Sequence, residues 1–219
     1  MICRLPLILC LLVVISEAAP APSCQLAIAR LHYGGGGDWY ANPSSLPNLV
    51  SAIRARTPLP VCDSVATVSI MDNNLFRFPF LYMTGHGNVK FTAAERVRLR
   101  TFLEQGGFLW ADDNYGMDQS FRREMTALFP ENQLTPLTAV HPVFSSLYKL
   151  PALPKIHEHD GKPAQALGIF FKGRLVVLYT YSSDIGDGME DIAVHNDGAA
   201  LHELALQMGI NIVAFFFKP

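Results

Sequence analysis

Charge is scarce in this sequence, and it is not gathered anywhere. Only 16% of the 219 residues are charged, with 17 Lys and Arg against 19 Asp and Glu and a net charge of −2. Neutralising a phosphate backbone needs a basic face, so the composition argues against a nucleic-acid partner. Cysteine is limited to four residues. No G-x-S-x-G is present, which leaves nucleophilic serine catalysis without its usual support. No H-E-x-x-H supplies a local metal site, and no glycine run is followed by Lys-Ser/Thr as a P-loop requires. No internal repeat is visible, and after the first residues no segment reads as long and apolar enough to span a bilayer.

Half of the residues are hydrophobic, enough for a substantial core, and the length suits one good-sized α/β domain. The chain begins like an export signal. Arg4 is followed by the apolar run Leu5 to Ile15 and by the small residues around Ser16-Glu17-Ala18. Cleavage is expected near Ala18, so the expected layout is a signal peptide over 1–18, a linker over 19–23 and a single domain over 24–219. The mature chain is expected outside the cytoplasm, periplasmic or extracellular. It keeps Cys24 and Cys62, each just ahead of an expected strand. If those strands are parallel neighbours their starting ends lie side by side, and a disulfide worth about 3 kcal/mol is expected; two free buried thiols are the alternative.

Strands are expected at Gln25–Leu31, Val65–Ile70, Phe80–Thr84 and Phe108–Ala111, the last a short apolar run between glycines and two acids. Helical spacing predicts helices over Leu46–Arg56, around Ser120–Phe129 and over Ala199–Met208. Thr92 and Glu95 form a capping box ahead of another, with Val97, Leu99, Phe102 and Leu103 inward and Gly106 at its stop. Such alternation implies a doubly wound, mostly parallel sheet. Pro130 to Pro163 reads as an irregular, Pro-rich insertion. Gly168–Phe171 and Arg174–Tyr179 look like a hairpin turning at Lys172-Gly173. Thr180 to Gly188 reads as a polar loop, and Ile210–Phe217 as either helix or strand.

Parallel strands send their following loops to one rim, where open α/β sheets place ligands. That rim is expected to hold Asp112, Asp113 and His86 as candidate catalytic groups. Tyr33, Gly35, Gly36, Asp38, Trp39, Gly85, Gly87, Asn114 and Asp184 are its candidate ligand-binding residues. Being adjacent, Asp112 and Asp113 cannot both point into one cleft; one of them is expected to cap the next helix. His86 with Asp112, Asp113 or Asp184 offers nitrogen and oxygen ligands, so a divalent metal is allowed, although no cofactor is required. Trp39, Tyr40, Trp110 and Tyr115 beside these acids suit a sugar or another small polar ligand. His141, His157, His159, His195 and His202 lie in segments without periodicity and carry no assignment.

Four motifs carry a family resemblance. Tyr33-Gly34 through Trp39-Tyr40, Pro79 through Gly87, Gly106-Gly107-Phe108-Leu109 with Asp112-Asp113, and Gly209 through Val213 together resemble the bacterial domain-of-unknown-function family 4159 (DUF4159). The resemblance covers nearly the whole mature chain. It implies a class I glutamine amidotransferase-like fold: a flavodoxin-like sheet with helices on both faces and a helix near the carboxyl terminus. Active amidotransferases of that fold carry a cysteine in the turn after the strand equivalent to Phe108–Ala111. Asp112-Asp113 stand there instead, so thiolate hydrolysis of glutamine is not expected. Similar domains joined to membrane-anchored, von Willebrand-like modules imply an interaction role with an envelope protein. The expected function is thus ligand binding or interaction at the cell envelope, with a carboxylate- or metal-dependent hydrolase as the alternative.

Overall fold

Strand and helix alternate through the first half because its apolar residues switch between short continuous runs and helical spacing. The computed structural model describes residues 24–218. It places β1 at Ile28–His32, α1 at Ser45–Arg56, β2 at Ala66–Ser69 and β3 at Phe80–Gly85. α2 (Ala93–Glu104), β4 (Phe108–Asp113) and α3 (Asp118–Leu128) follow. The second half holds β5 (Thr135–Pro136), β6 (Gln165–Phe171), β7 (Arg174–Tyr181), α4 (Ile185–Gly188), α5 (Ile192–His195) and α6 (Gly198–Phe217). The expected signal over 1–18 and linker over 19–23 fall outside the described residues.

All seven strands join one sheet in the order β2-β1-β3-β4-β7-β6-β5. β2, β1, β3, β4 and β7 are parallel, and β6 and β5 add antiparallel pairs. Side chains alternate across the sheet. Phe80, Tyr82, Phe108 and Trp110 pack with α1 and α6, whereas Leu81, Met83, Leu109 and Ala111 pack with α2 and α3. The result is a three-layer α/β domain with a mostly parallel mixed sheet. At its amino edge Cys24 and Cys62 form a disulfide with a Cα–Cα distance of 4.8 Å. Parallel pairing extends back to Leu26 and Val61, which holds the two cysteines side by side as expected.

Local signals act as read. Thr92 Oγ1 accepts from the Glu95 N–H, and the Glu95 carboxylate accepts from the Thr92 N–H. The β6–β7 hairpin turns on Lys172 and Gly173, both with positive φ. Three expectations need correction. Val97 is 70% exposed; it sits two residues from Leu99, about 200° around the helix from the buried stripe. Thr180 to Gly188 is no loop: β7 continues to Tyr181, α4 starts at Ile185, and most of the stretch is buried. The last two segments are one 20-residue helix, α6. Joined, they are long and apolar enough to cross a membrane, although half of that window is buried in this domain. Gly209, between the two segments, lies where α6 closes on Leu49 and Met189.

Candidate functional site

The loops after β1, β3, β4 and β7 leave the sheet at the same edge because those strands are parallel. β4 ends in two acids, paired in register with Thr84 and Gly85 of β3. Alternation sends them to opposite faces. Asp112 accepts from the Thr180 hydroxyl and from the Gly186 N–H at 2.6 Å. Gly186 is required there, since a Cβ would stand 2.5 Å from Asn42 Nδ2 and collide with the Tyr82 hydroxyl. Burial, opposed by those two donors, pushes the Asp112 carboxyl up to about 7. Asp113 accepts from Tyr115 N–H at 3.1 Å, Met117 N–H at 3.0 Å and the Tyr179 hydroxyl at 3.1 Å. It thereby fastens the turn into α3, and burial raises its pKa.

Beside Asp113 a cavity of about 250 Å³ opens between Tyr115 and Tyr181. Asp118, His159, Lys162 and Asp184 complete its wall. Lys162 is engaged by Asp160 and Asp118 by Arg122, each at 2.7 Å, so Asp113 and Asp184 are the acids of this wall without a lysine or arginine partner. Asp184 is fully buried, and no donor hydrogen-bonds to either of its oxygens. His159 Nε2 stands 2.8 Å from Asp184 Oδ2, and the His159 ring stacks on Tyr115 at 4.7 Å. Burial first, then the charges of Asp112, Asp187 and Asp113, push Asp184 up to about 8. Asn42, Tyr115, Ser182 and Asp184 all have positive φ. Left-handed backbone is costly away from glycine and gathers at functional sites.

Behind the cavity lies a second cluster. His157 Nδ1 is 3.0 Å from Asp187 Oδ2, and its Nε2 contacts Asp197. Asn42 donates to Asp187 at 2.7 Å and to Asn114 at 3.1 Å. His195 faces Asp187 and Glu190, each at 3.9 Å. Two sets of three groups converge, with ligand atoms within 4.8 Å of one another in each: His157, Asp187 and His195, and His157, His159 and Asp184.

The sequence candidates are divided between two regions. Asp113 and Asp184 line the cavity. Asp112 and Asn114 lie behind it, buried, with the Asn114 carbonyl accepting from Thr84 at 3.1 Å. The others form an adjoining corner, in which Gly87 lies beside Gly116 of the cavity lining. His86 Nδ1 pairs with Asp38 Oδ2 at 2.9 Å. Tyr33 donates to the Thr84 carbonyl at 3.1 Å, and Trp39 packs on His32 with centroids 4.2 Å apart. Gly35 lies against the backbone of Asn88 and Lys90, and Gly85 against Tyr33 and Asp38. A Cβ would clash at both of these glycines; Gly36 and Gly87 face open space. The expected meeting of His86 with Asp112 or Asp113 does not occur. His86 pairs with Asp38, and the two acids accept instead from Thr180, Gly186, Tyr115, Met117 and Tyr179.

Sequence reasoning passed over His157, His159, His195 and Asp187. The alternating His157-Glu158-His159 was the available signal, since residues two apart in extended chain share a side. Their meeting with Asp184 and Asp187 depends on the course of an irregular loop, which no local pattern records. No curated protein matches the chain in sequence. One family does match, and it spans the whole sheet and the cavity just described: over residues 27–217 the chain belongs to the domain-of-unknown-function family DUF4159.

Proposed function

We propose that the protein is an exported binding module whose cavity at the carboxyl edge holds a small ligand that is rich in hydroxyls or positively charged. The observation that carries this reading is the wall itself. Asp118 and Asp184 offer acceptors, the Tyr115–His159 stack offers a flat apolar face, and the one lysine is neutralised by Asp160. The strand order β2-β1-β3-β4-β7 matches the flavodoxin-like pattern, which supports the class I glutamine amidotransferase-like assignment. The Asp112-Asp113 pair in place of a cysteine argues against glutamine hydrolysis.

Thermal denaturation against saccharides, polyols, polyamines and amino acids tests the pocket. A ligand at 100 times its Kd stabilises by about 2.7 kcal/mol, or ~5–10 °C for a chain of this size. Tyr115→Ala is expected to remove that shift. Silence across all four classes, or a shift unchanged in Tyr115→Ala, contradicts the reading. The contact between Asp184 and His159 favours a second reading, a hydrolase with these two as its acid–base pair. Under it the ligand is consumed, and Asp184→Asn binds without turnover.

Export is supported by the charged, apolar and small residues over 1–18 and by the disulfide, which suits an oxidising compartment. The secreted or periplasmic chain is expected to begin near Ala19 on amino-terminal sequencing. A chain found only in the cytoplasm with Met1 intact contradicts it.

A further inference from the structure

We propose that His157, His159 and Asp184 bind one divalent transition-metal ion of the zinc class at the inner wall of the cavity. The proposal deepens the pocket reading and rests on it in taking that wall as the site.

Asp184 is the anomaly that calls for an ion. Among the described residues the other buried carboxylates all have donors: Asp112 has Thr180 and Gly186, Asp113 has Tyr115, Met117 and Tyr179, Asp187 has Asn42, Glu190 has Ser44, and Glu124 has Arg96. Asp184 is as deeply buried, yet neither oxygen has a well-aligned hydrogen bond, and its one ion-pair neighbour is His159 Nε2, 2.8 Å from Oδ2. A carboxylate withdrawn from water without donors is among the most costly arrangements a fold can keep. Neither lysine of this region supplies the missing partner: Lys155 Nζ donates to Ser182 Oγ at 2.8 Å and to the Lys162 carbonyl at 3.0 Å, and Lys162 is paired with Asp160. Two imidazoles stand there instead, with ligand atoms within 4.8 Å of one another and of the carboxylate.

The spacing suits an ion. Bonds of about 2.0–2.1 Å in a tetrahedral site put neighbouring ligand atoms about 3.3 Å apart. His159 Nε2 and Asp184 Oδ2 are already 2.8 Å apart. Both imidazoles are also held by neighbours. His159 is stacked on Tyr115. His157 is flanked by the carboxylates of Asp187 and Asp197, so that one nitrogen keeps a carboxylate partner when the other turns to a metal. Two nitrogens and one carboxylate select zinc-class ions over calcium or magnesium, which take oxygen. Three protein ligands leave a position open toward the cavity, as catalytic rather than structural sites do.

The test is equilibrium dialysis of the chelator-treated full chain against zinc chloride, with metal content read by mass spectrometry. Cobalt absorption spectra give an independent reading of the ligand set. One ion per chain is expected. Asp184→Asn and His159→Gln are each expected to weaken binding at least tenfold while the metal-free proteins keep the native circular dichroism. His195→Gln is expected to bind as the parent does. Absence of stoichiometric zinc overturns the proposal, as does full binding by Asp184→Asn. Loss in His195→Gln with Asp184→Asn intact also overturns it and moves the ion to the set of His157, Asp187 and His195. Metal content is read apart from organic ligand binding, so a blank ligand screen with bound zinc, or the reverse, shows which of the two readings has failed.

Discussion

Asp112 carries its carboxyl inside the sheet edge, between Thr180 and the Gly186 amide, where burial raises its pKa to about 7. In the unfolded chain the same group ionises near the ordinary aspartate value. Between those two values the folded state holds a proton that the unfolded state has lost, so this group's contribution to stability falls as pH rises from about 4 through about 7. Asparagine at position 112 keeps an oxygen for Gly186 and offers an amide to Thr180, whose hydroxyl then turns to the Ala111 carbonyl 3.3 Å away. Urea unfolding of metal-free protein at pH 5 and pH 8 is therefore expected to show a smaller loss in Asp112→Asn. The difference is on the order of 2 kcal/mol. An unchanged pH dependence contradicts a protonated Asp112. Both acids were visible in the sequence as residues at the exit of an apolar run. That Asp113 would serve as a clamp for Tyr115, Met117 and Tyr179 was foreseeable only as a choice between two adjacent side chains.

Among the elements, those specified by local chemistry were legible. The Thr92–Glu95 capping box starts α2, and a two-residue turn at Lys172-Gly173 joins β6 to β7. Removing the cap hydroxyl in Thr92→Ala is expected to cost about 1 kcal/mol, read as a fall in Tm of ~2–4 °C; an unchanged Tm means the helix is held by packing alone. Composition misled where burial and polarity coincide. Thr180 to Gly188 looks like a loop because it is rich in Ser, Asp and Gly. Apart from the Asp184 carboxyl, its buried polar groups find partners inside the domain, with Ser183 donating to the Pro154 carbonyl at 2.5 Å and Thr180 accepting from Trp110 at 3.0 Å. Val97 misled for the opposite reason, since an apolar residue on a helix says nothing of its face until its angle to Leu99 and Leu103 is counted.

At the level of the whole molecule, parallel pairing does most of the positioning. It puts the Cys24–Cys62 bridge at one pole and gathers the exits of β1, β3, β4 and β7 at the other. For β1, β3 and β4 this convergence, and with it the place of Asp113, followed from the alternation of strand and helix; Asp184 reaches the same cavity through the parallel pairing of β7 with β4, where the sequence showed only a hairpin. The histidines did not follow. His157 and His159 come from the irregular stretch between β5 and β6, and His195 from α5, so their approach is a property of the packed domain rather than of any element. The same packing pairs His86 with Asp38, while the acids of β4 take their donors from Thr180, Gly186, Tyr115, Met117 and Tyr179. The most direct measurement is anomalous diffraction at the zinc edge from crystals of the full chain grown with zinc. A single peak is expected within bonding distance of Asp184, His159 and His157. A map with no peak at the carboxyl edge, or with zinc only on surface residues, contradicts the account.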